Sequence, residues 1–439
     1  MNRPLQSHNG IRGSVLIVVL IVCLGLVSMT LVLGHSMLMA YRGSDNEVAG
    51  RQADLAIEGA AQYAQTLLSN VDQPGAMPDP DNYQAEAVPL GDATFWFIGE
   101  PAPSDPPNTP VFGLADEASK LNLNTASATM LEGLPGMTQD LAQAIVSWRA
   151  SGTNSLSSAG ASAATLKNAP FESIEELAQV NGGTDLDILY GTDTNFNHVQ
   201  DANEAASGPT GFVPGLLEYV TVFSREPNTL SDGTKRINVT QTSSALTQLL
   251  NTTFGAPRGR QISRKLSTGA PPHSVLEFYI KSGMTSDEFA QISPKLTMSA
   301  GSFSYGLINV NTASETVLQC IPGITQGTAQ QIVTTRTGQD PPPTNLAWVA
   351  TILGPAASAQ AGPFLTAETF QISADVAAVG HHGRGYRRTR FVIDSSNGAP
   401  QIIYRQNLAY LGWALGAAAR QTLAQAGNFP SSSPRKETP

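Results

Sequence analysis

One polar stretch near the middle of the chain carries a regular series of oxygen donors. Residues 193–204 read DTNFNHVQDANE, with side-chain oxygens at the first, third, fifth, ninth and twelfth positions. These donors are Asp193, Asn195, Asn197, Asp201 and Glu204. Val199 stands at the seventh position, where a calcium loop uses the backbone carbonyl. Because calcium takes about six to eight hard oxygen ligands, this spacing predicts a calcium site.

Two residues depart from the EF-hand loop, which has the same ligand spacing. His198 occupies the sixth position, where glycine normally makes a sharp turn. Gln200 occupies the eighth position, where an apolar residue normally packs. The alternative interpretation is therefore an ordinary polar loop whose oxygen spacing arose by chance.

Two other stretches of the chain repeat each other. Residues 121–149 read LNLNTASATMLEGLPGMTQDLAQAIVSWR, and residues 308–336 read INVNTASETVLQCIPGITQGTAQQIVTTR. In each stretch the Asn-Thr pair, at 124–125 or 311–312, can start a short helix that ends at a Pro-Gly turn. Thr138 and Thr325 can then cap a second helix. The repetition predicts two helix-hairpin-helix units.

Helix-hairpin-helix units often bind DNA through backbone amides and nearby cations. Here Lys120 and Arg149 are balanced by two carboxylates in the first unit, and Arg336 is balanced by Glu315 in the second. Asp140 directly follows the first turn and would repel a phosphate. The charge pattern therefore favours packing against protein over binding to DNA.

A basic cluster lies near the C-terminus, where residues 381–390 read HHGRGYRRTR. Four arginines there could pair with an acidic partner or with lipid head groups, and two adjacent histidines could contact a metal. The interpretation we favour from sequence is a solvated hairpin edge, which its charges protect against aggregation.

Composition limits the classes of function. The chain has 439 residues, 14% charged residues, a net charge of −10 and two cysteines. This length allows two or three domains, and the acidic balance is unusual for a nucleic-acid binder. The sequence contains no recognisable nucleophile–base set, phosphate-binding glycine loop or His/Cys metal cluster, so we do not expect an enzyme.

The N-terminal region contains the elements that would position everything else. Residues 14–41 include no Asp, Glu, Lys or Arg, and such a run is long enough to span a bilayer as a helix. Apolar residues continue at helical spacing to Asn70, which predicts one long helix. Only Arg3 and Arg12 are charged before the run, so the N-terminus should stay cytoplasmic.

The start of the apolar run resembles a type IV prepilin signal. In that signal a dedicated peptidase cuts after the glycine before the apolar run, so the resemblance implies cleavage between Gly13 and Ser14. A plain signal anchor is the alternative. Pilin-like proteins usually carry Glu at the fifth mature position, but Val18 stands there. A subunit without this carboxylate need not dock beneath another one, which points to the tip of a filament.

The order of elements predicts an α+β protein in which a helical region interrupts a small antiparallel sheet. Strands are predicted at 93–98, 111–123, 216–223 and 236–239, and three closing strands at 370–379, 388–393 and 401–405. Helices are predicted at 171–180, 275–292 and 408–423. The predicted ranges are a leader (1–13), a transmembrane and extended helix (14–70), the first sheet segment (71–118), a helical insertion (119–360), closing strands (361–415) and a tail (416–439).

Taken in order, these motifs resemble the K-type minor pseudopilin family of type II secretion systems. The matching pieces are the prepilin-like start, DEASKLNLNTAS, LPGM, FESIEEL, VTVF and the second INVNTAS. The resemblance implies a pilin-like domain with a large helical insertion. It also implies the use of calcium, processing by prepilin peptidase, a place in the inner membrane and assembly with other minor pseudopilins at the pseudopilus tip.

Two functions from other classes remain open at this point. A membrane-anchored DNA receptor of competence type also carries LNLNTAS-type hairpins, but it would need basic ones. A signal-anchored calcium-binding protein would explain the loop at 193–204 without any filament.

Overall fold

The N-terminal apolar run and the residues after it form one continuous helix, α1 (Ile11–Ser69). At 1.5 Å per residue its 59 residues extend about 88 Å, and neither Gly43 nor Gly50 interrupts it. This confirms the predicted long helix. The computed structural model describes residues 11–102, 105–106, 108–150, 167–182, 184–201, 204, 214–241, 243–339 and 343–426.

The described part of the chain contains ten further helices and fourteen strands. The helices are α2 (Ala128–Glu132), α3 (Gln139–Arg149), α4 (Leu186–Tyr190), α5 (Ser244–Leu266), α6 (Val275–Ser282), α7 (Ser286–Ile292), α8 (Glu315–Gln319), α9 (Gln326–Thr337), α10 (Ala347–Ala361) and α11 (Gly416–Ala426). The strands are β1 (Val88–Leu90), β2 (Ala93–Ile98), β3 (Ala115–Asp116), β4 (Leu121–Asn122), β5 (Val220–Thr221), β6 (Arg225–Pro227), β7 (Ile237–Asn238), β8 (Leu296–Thr297), β9 (Phe303–Tyr305), β10 (Ile308–Asn309), β11 (Leu365–Thr366), β12 (Gln371–Gly380), β13 (Arg384–Asp394) and β14 (Gln401–Asn407).

The main sheet joins strands from the two ends of the chain. Its order is β1-β2-β12-β13-β14, with β3 also paired to β12, and all these pairs are antiparallel. The predicted strand at 93–98 is confirmed with the same bounds. The three predicted closing strands are confirmed as β12, β13 and β14. The architecture is α+β, as predicted.

The second half of α1 packs on this sheet through small side chains. Its buried residues are Ala53, Ala56, Ile57, Ala60, Ala61, Ala64 and Leu68. They meet Phe95, Phe97, Val376 and Phe391 from the sheet. The small alanine side chains of α1 let the helix lie close to these sheet residues. Replacing a buried aromatic such as Phe391 by alanine should lower the free energy of unfolding by about 3–5 kcal/mol.

Glycine permits an even closer approach at the turn between β12 and β13. A Cβ atom at Gly380 would lie 2.1 Å from the carbonyl oxygen of Ala49, and one at Gly385 would lie 2.4 Å from its carbonyl carbon. The φ angle of Gly385 is also positive, at 68°. These two glycines therefore let the turn touch the backbone of α1 directly.

In the described residues between β3 and β12 one helical unit occurs three times, and the sequence repeat predicts two of these copies. Each copy has a short strand, a helix, a glycine turn, a second helix and a closing strand that pairs in parallel with the first. In each, the residue after the first strand donates its N–H to a threonine carbonyl. These bonds join Leu123 to Thr221 at 2.8 Å, Val239 to Thr297 at 2.9 Å and Val310 to Thr366 at 3.0 Å.

The first helix of each copy has a serine N-cap. The caps are Ser127, Ser243 and Ser314, whose hydroxyls accept backbone N–H groups at 3.1–3.2 Å. The predicted Asn-Thr pairs therefore precede the serine N-caps by two or three residues. The middle copy reads INVTQTSSALTQLL at its start, and its turn, at Gly255 and Pro257, lies further from the N-cap than the Pro-Gly turns do.

Several predicted elements are shorter than expected or differ in type. The segment 111–123 contains only β3 and β4, separated by a 3-10 turn in which Asp116 accepts the N–H of Ala118. The Asp116 side chain thus bonds a backbone N–H in place of a neighbouring strand, and this ends the strand. In 216–223 a 3-10 turn precedes the short β5, and the predicted helix at 171–180 is a 3-10 helix, Ile174–Gly182. The last helix begins only at Gly416.

Candidate functional site

The loop 193–204 follows α4 and is held in shape by its own polar groups. Asp193 is fully buried, and its carboxylate accepts the N–H of Asn197 at 3.2 Å and that of His198 at 2.7 Å. These two bonds curl the chain around the first predicted ligand. Residues 1–10 of the predicted leader and residues 202–203 and 205–213 lie outside the described residues, whereas all six predicted ligands lie inside them.

His198 makes the turn that glycine makes in an EF-hand loop. Its φ angle is 58°, in the left-handed region that glycine favours and that histidine enters more readily than most residues. Its Nδ1 lies 3.0 Å from Oε2 of Glu218, a contact that helps to hold the residue in this conformation. The departure at the sixth position therefore does not prevent the sharp turn.

Glu204, at the twelfth position, closes the loop. Its Oε1 accepts the backbone N–H of Thr194 at 2.9 Å and the hydroxyl at 2.8 Å, and its Oε2 accepts the N–H of Asp201 at 3.0 Å. Glu204 is almost fully buried. The carboxylate that would supply two oxygens to an ion is thus already inside the loop.

The remaining predicted ligands converge on Asp201. Its Oδ2 accepts the amides of Asn195 at 2.7 Å and Asn197 at 3.1 Å. The Oδ1 of Asn195 is buried and has no hydrogen-bond partner among the described residues. A half turn of either amide would present its oxygen where its nitrogen now lies, as a cation would require. The N–H of Val199 donates to Asn197 at 2.9 Å.

The electrostatics of the loop also suit a cation. Burial, with the nearby charge of Glu218, raises the pKa of Asp193 to about 6. Burial alone would lower the pKa of His198, but the hydrogen bond and charge of Glu218 outweigh it and raise that pKa. The sequence 193–204 holds three carboxylates, those of Asp193, Asp201 and Glu204, and one basic residue, His198. The donor set fits calcium, because its predicted ligands are all oxygens.

A second set of ligand atoms overlaps the first. Asp193, His198 and Glu218 each offer one atom, and these atoms lie within 4.8 Å of one another. Imidazole mixed with carboxylates suits a transition metal better than it suits calcium. The two sets share Asp193 and differ in whether His198 is a ligand.

The basic segment 381–390 is not the solvated hairpin edge that the sequence suggested. β13 lies between β12 and β14, so it is an interior strand of the sheet. Arg388 is fully buried and forms two hydrogen bonds to Asp375, at 2.9 and 2.8 Å. Its charge is tolerated inside because a carboxylate is buried with it. That pairing depends on two strands meeting, so composition alone could not reveal it.

Three other basic residues of this segment pair with α1. His381 Nε2 lies 2.8 Å from Asp45, Arg384 also contacts Asp45, and Arg387 lies 3.2 Å from Asp54. The hydrogen bond with His381 is the main reason that the pKa of Asp45 is lowered. The cluster therefore fastens the β12–β13 turn to the long helix.

The two predicted hairpins use their arginines for packing. Arg149 donates to the carbonyls of Leu123 and Ala126, and Arg336 donates to those of Val310 and Ala313. Burial lowers the pKa of both guanidinium groups, that of Arg336 to about 10. These donors are engaged inside their own units, so they are not free to contact phosphates.

The turns of the three units differ in how they are covered. A Cβ atom at Gly323 would lie 2.9 Å from Gln360 and 3.0 Å from the carbonyl of Ala357, whereas near Gly255 only Pro257 comes within 4 Å among the described residues. The middle unit is also basic, since residues 235–295 hold eight Lys or Arg and three Asp or Glu. This unit lies outside the sequence repeat, so its charge did not enter the charge comparison of the two predicted hairpins.

Gly13 and Ser14, the predicted processing residues, lie in the first turn of α1. The apolar side chains from Val15 to Met39 are exposed. Of the described residues, only those of α1 form a helix long and apolar enough to cross a membrane.

Comparisons with known proteins match part of this picture. Residues 116–154 and 304–366 match the helix-hairpin-helix motif. No curated protein matches the chain. A solved chain from the crystal structure of the GspK-GspI-GspJ complex of the type 2 secretion system of enterotoxigenic Escherichia coli is 11% identical, with a TM-score of 0.35. The match covers 84% of this chain and 99% of that one, but a likeness this low carries no conclusion about function.

Proposed function

We propose that this chain is a minor pseudopilin of a type II secretion system and has a structural, not a catalytic, role. The observation that carries the proposal is the division of α1 into two halves. The first half exposes its apolar side chains, and the second half packs an alanine face on an antiparallel sheet. One helix thus joins a membrane segment to a folded domain, as a pilin-like subunit requires.

The proposal gives the chain a single pass through the inner membrane. Arg3 and Arg12 keep the N-terminus in the cytoplasm, and the folded region lies in the periplasm. Prepilin peptidase cuts between Gly13 and Ser14. Val18 carries no carboxylate for a preceding subunit, which supports a place at the tip of the pseudopilus, where this subunit starts assembly.

The helical insertion supplies contacts with the other minor pseudopilins of the tip. Arg149 and Arg336 donate to carbonyls of their own units, which supports a packing role for the two predicted hairpins. A DNA receptor of competence type is the rival function, and among the described residues no contact favours it.

Calcium is the cofactor in this proposal. Asp193, Asn195, Asn197, Asp201 and Glu204 supply side-chain oxygens, and Val199 supplies its carbonyl. The clearest structural support for an ion at this place is the buried Oδ1 of Asn195, for which the described residues supply no hydrogen-bond partner. An ion would neutralise the buried carboxylates and order the loop.

The proposal is tested by deleting the gene and measuring export of a type II substrate. We expect export to fail in the deletion strain and to return with the parent chain, but not with Gly13→Val. The parent should also co-purify with the other minor pseudopilins after cross-linking in membranes. Normal export without the gene, together with no cross-link to a minor pseudopilin, would reject the proposed function.

A further inference from the structure

The loop 193–204 belongs to the insertion, but several of its polar contacts reach the sheet and the segments beside it. Arg388 of β13 donates to the carbonyl of Asn195, and to that of Phe196 at 3.1 Å. The amide of Asn195 donates to the carbonyl of Trp413 at 3.1 Å. These contacts come from residues far along the chain, after the insertion has ended.

Arg388 is held rigidly in the position from which it contacts the loop. Its two bonds to Asp375 fix the plane of the guanidinium, and the burial of both side chains excludes water from the pair. Burial alone would raise the pKa of Asp375, but the charges of Arg388 and Arg390 hold it below its ordinary value. The guanidinium therefore presents two fixed N–H groups to the loop.

The same loop is attached to the insertion on its other side. The His198 ring contacts Glu218, and the ring of Phe196 lies 5.3 Å from that of Tyr190, centroid to centroid. Phe196 also has a positive φ angle of 52°, a conformation that its carbonyl bond to Arg388 helps to maintain. The loop thus lies between the sheet and the insertion and contacts both.

We propose that residues 193–201, together with Glu204, form a calcium-dependent clasp that fixes the helical insertion to the sheet, with Arg388 as the positioning residue that couples them. This inference rests on the calcium site of the proposed function. Arg388 binds the backbone carbonyls of Asn195 and Phe196. The proposed ligand at the third position is the side chain of Asn195, and the fourth position supplies no ligand, so Arg388 does not compete with an ion. It instead fixes the backbone that carries the Asn195 ligand.

Linkage makes the coupling reciprocal. If calcium orders the loop, it also strengthens the contacts with Arg388, and docking of the sheet must raise calcium affinity by the same factor. Partners that orient a metal ligand typically change metal affinity by about 10- to 100-fold when they are removed. We expect a loss of that size when the guanidinium is replaced.

Three full-length chains in detergent micelles provide the test: the parent, Arg388→Lys and Arg390→Lys. Arg390 is the matched control, because it pairs with Asp375 at 3.0 Å but makes no hydrogen bond to the described residues of the loop. Calcium titration calorimetry should show about 10- to 100-fold weaker binding for Arg388→Lys. Binding by Arg390→Lys should stay close to that of the parent.

Hydrogen exchange of the parent gives a second readout that needs no variant. Calcium should slow exchange both in residues 190–201 and in β13, and chelator should reverse both effects. Slower exchange in the loop alone, or equal calcium affinity in the parent and Arg388→Lys, would overturn the clasp and leave the calcium site intact. No calcium heat and no change in exchange would instead reject the site itself. If Arg388→Lys does not fold, the exchange of β13 in the parent decides.

Discussion

Replacing Glu204 by alanine should destabilise the loop 193–204 in two separable ways. In the structure Glu204 accepts three hydrogen bonds, two from Thr194 and one from Asp201. Bonds to a charged group contribute about 1.5–3 kcal/mol each, but neighbouring bonds do not add fully. We therefore expect Glu204→Ala to lose about 3 kcal/mol of local stability even in chelator.

The second loss appears only with calcium. An ion at 100 times its dissociation constant stabilises the parent by about 2.7 kcal/mol, and the variant lacks the carboxylate that would supply two ligand oxygens. In calcium the difference between the two chains should therefore rise to roughly 5–6 kcal/mol. Glu204→Gln should show a smaller loss in chelator, because its amide oxygen can still accept from Thr194.

The assay is hydrogen exchange of the peptide covering 190–201 in full-length protein, in calcium and in chelator. Gln200→Ala is the control, because its side chain occupies no ligand position. It should respond to calcium as the parent does. If the parent shows the same exchange in both conditions and calorimetry detects no calcium heat, the reasoning about this loop is wrong.

Three further predictions concern packing, the identity of the metal and DNA. Gly380→Ala should lower thermal stability, because its Cβ would lie 2.1 Å from a carbonyl oxygen of α1. Gly43→Ala should not, because no described residue comes within 4 Å of its Cβ, and equal melting of the two variants would contradict the close approach at Gly380. His198→Gly should keep the calcium affinity of the parent, since a φ of 58° suits glycine. If neither the parent nor the variant binds calcium, and the variant loses zinc binding that the parent shows, the ligand set of Asp193, His198 and Glu218 is favoured instead. Full-length protein should bind duplex DNA only with the weak, salt-sensitive background affinity of a basic surface, and a sub-micromolar dissociation constant at physiological salt would favour the DNA receptor.

Short sequence patterns predicted the strands and helix caps whose structure is decided by neighbouring residues. The β-forming residues at 93–98 predict β2 with its observed bounds, and within the predicted helix 275–292 a capping box of Thr285 and Glu288 starts α7. Thr138 and Thr325 cap their helices as expected. Each of these features is decided within a few residues, so a single sequence contains the necessary information.

Features that depend on distant contacts were missed. The burial of Arg388 requires Asp375 on a neighbouring strand and carbonyls from the insertion, and no local pattern indicates such a meeting. The middle helical unit was not predicted because its turn at Gly255 lies further from the serine N-cap than the Pro-Gly turns of the other two units do. Its parallel β-bridge, serine N-cap and glycine turn can be matched to those of the other two units only in the three-dimensional structure.

The N-terminus of the chain isolated from membranes tests the central claim most directly. If this protein is processed as a pilin-like subunit, N-terminal sequencing and intact mass should show a mature chain that begins at Ser14. Gly13→Val should keep the 13-residue leader. A native chain that begins at Met1, or one cut after the apolar run beyond Tyr41, would contradict the account.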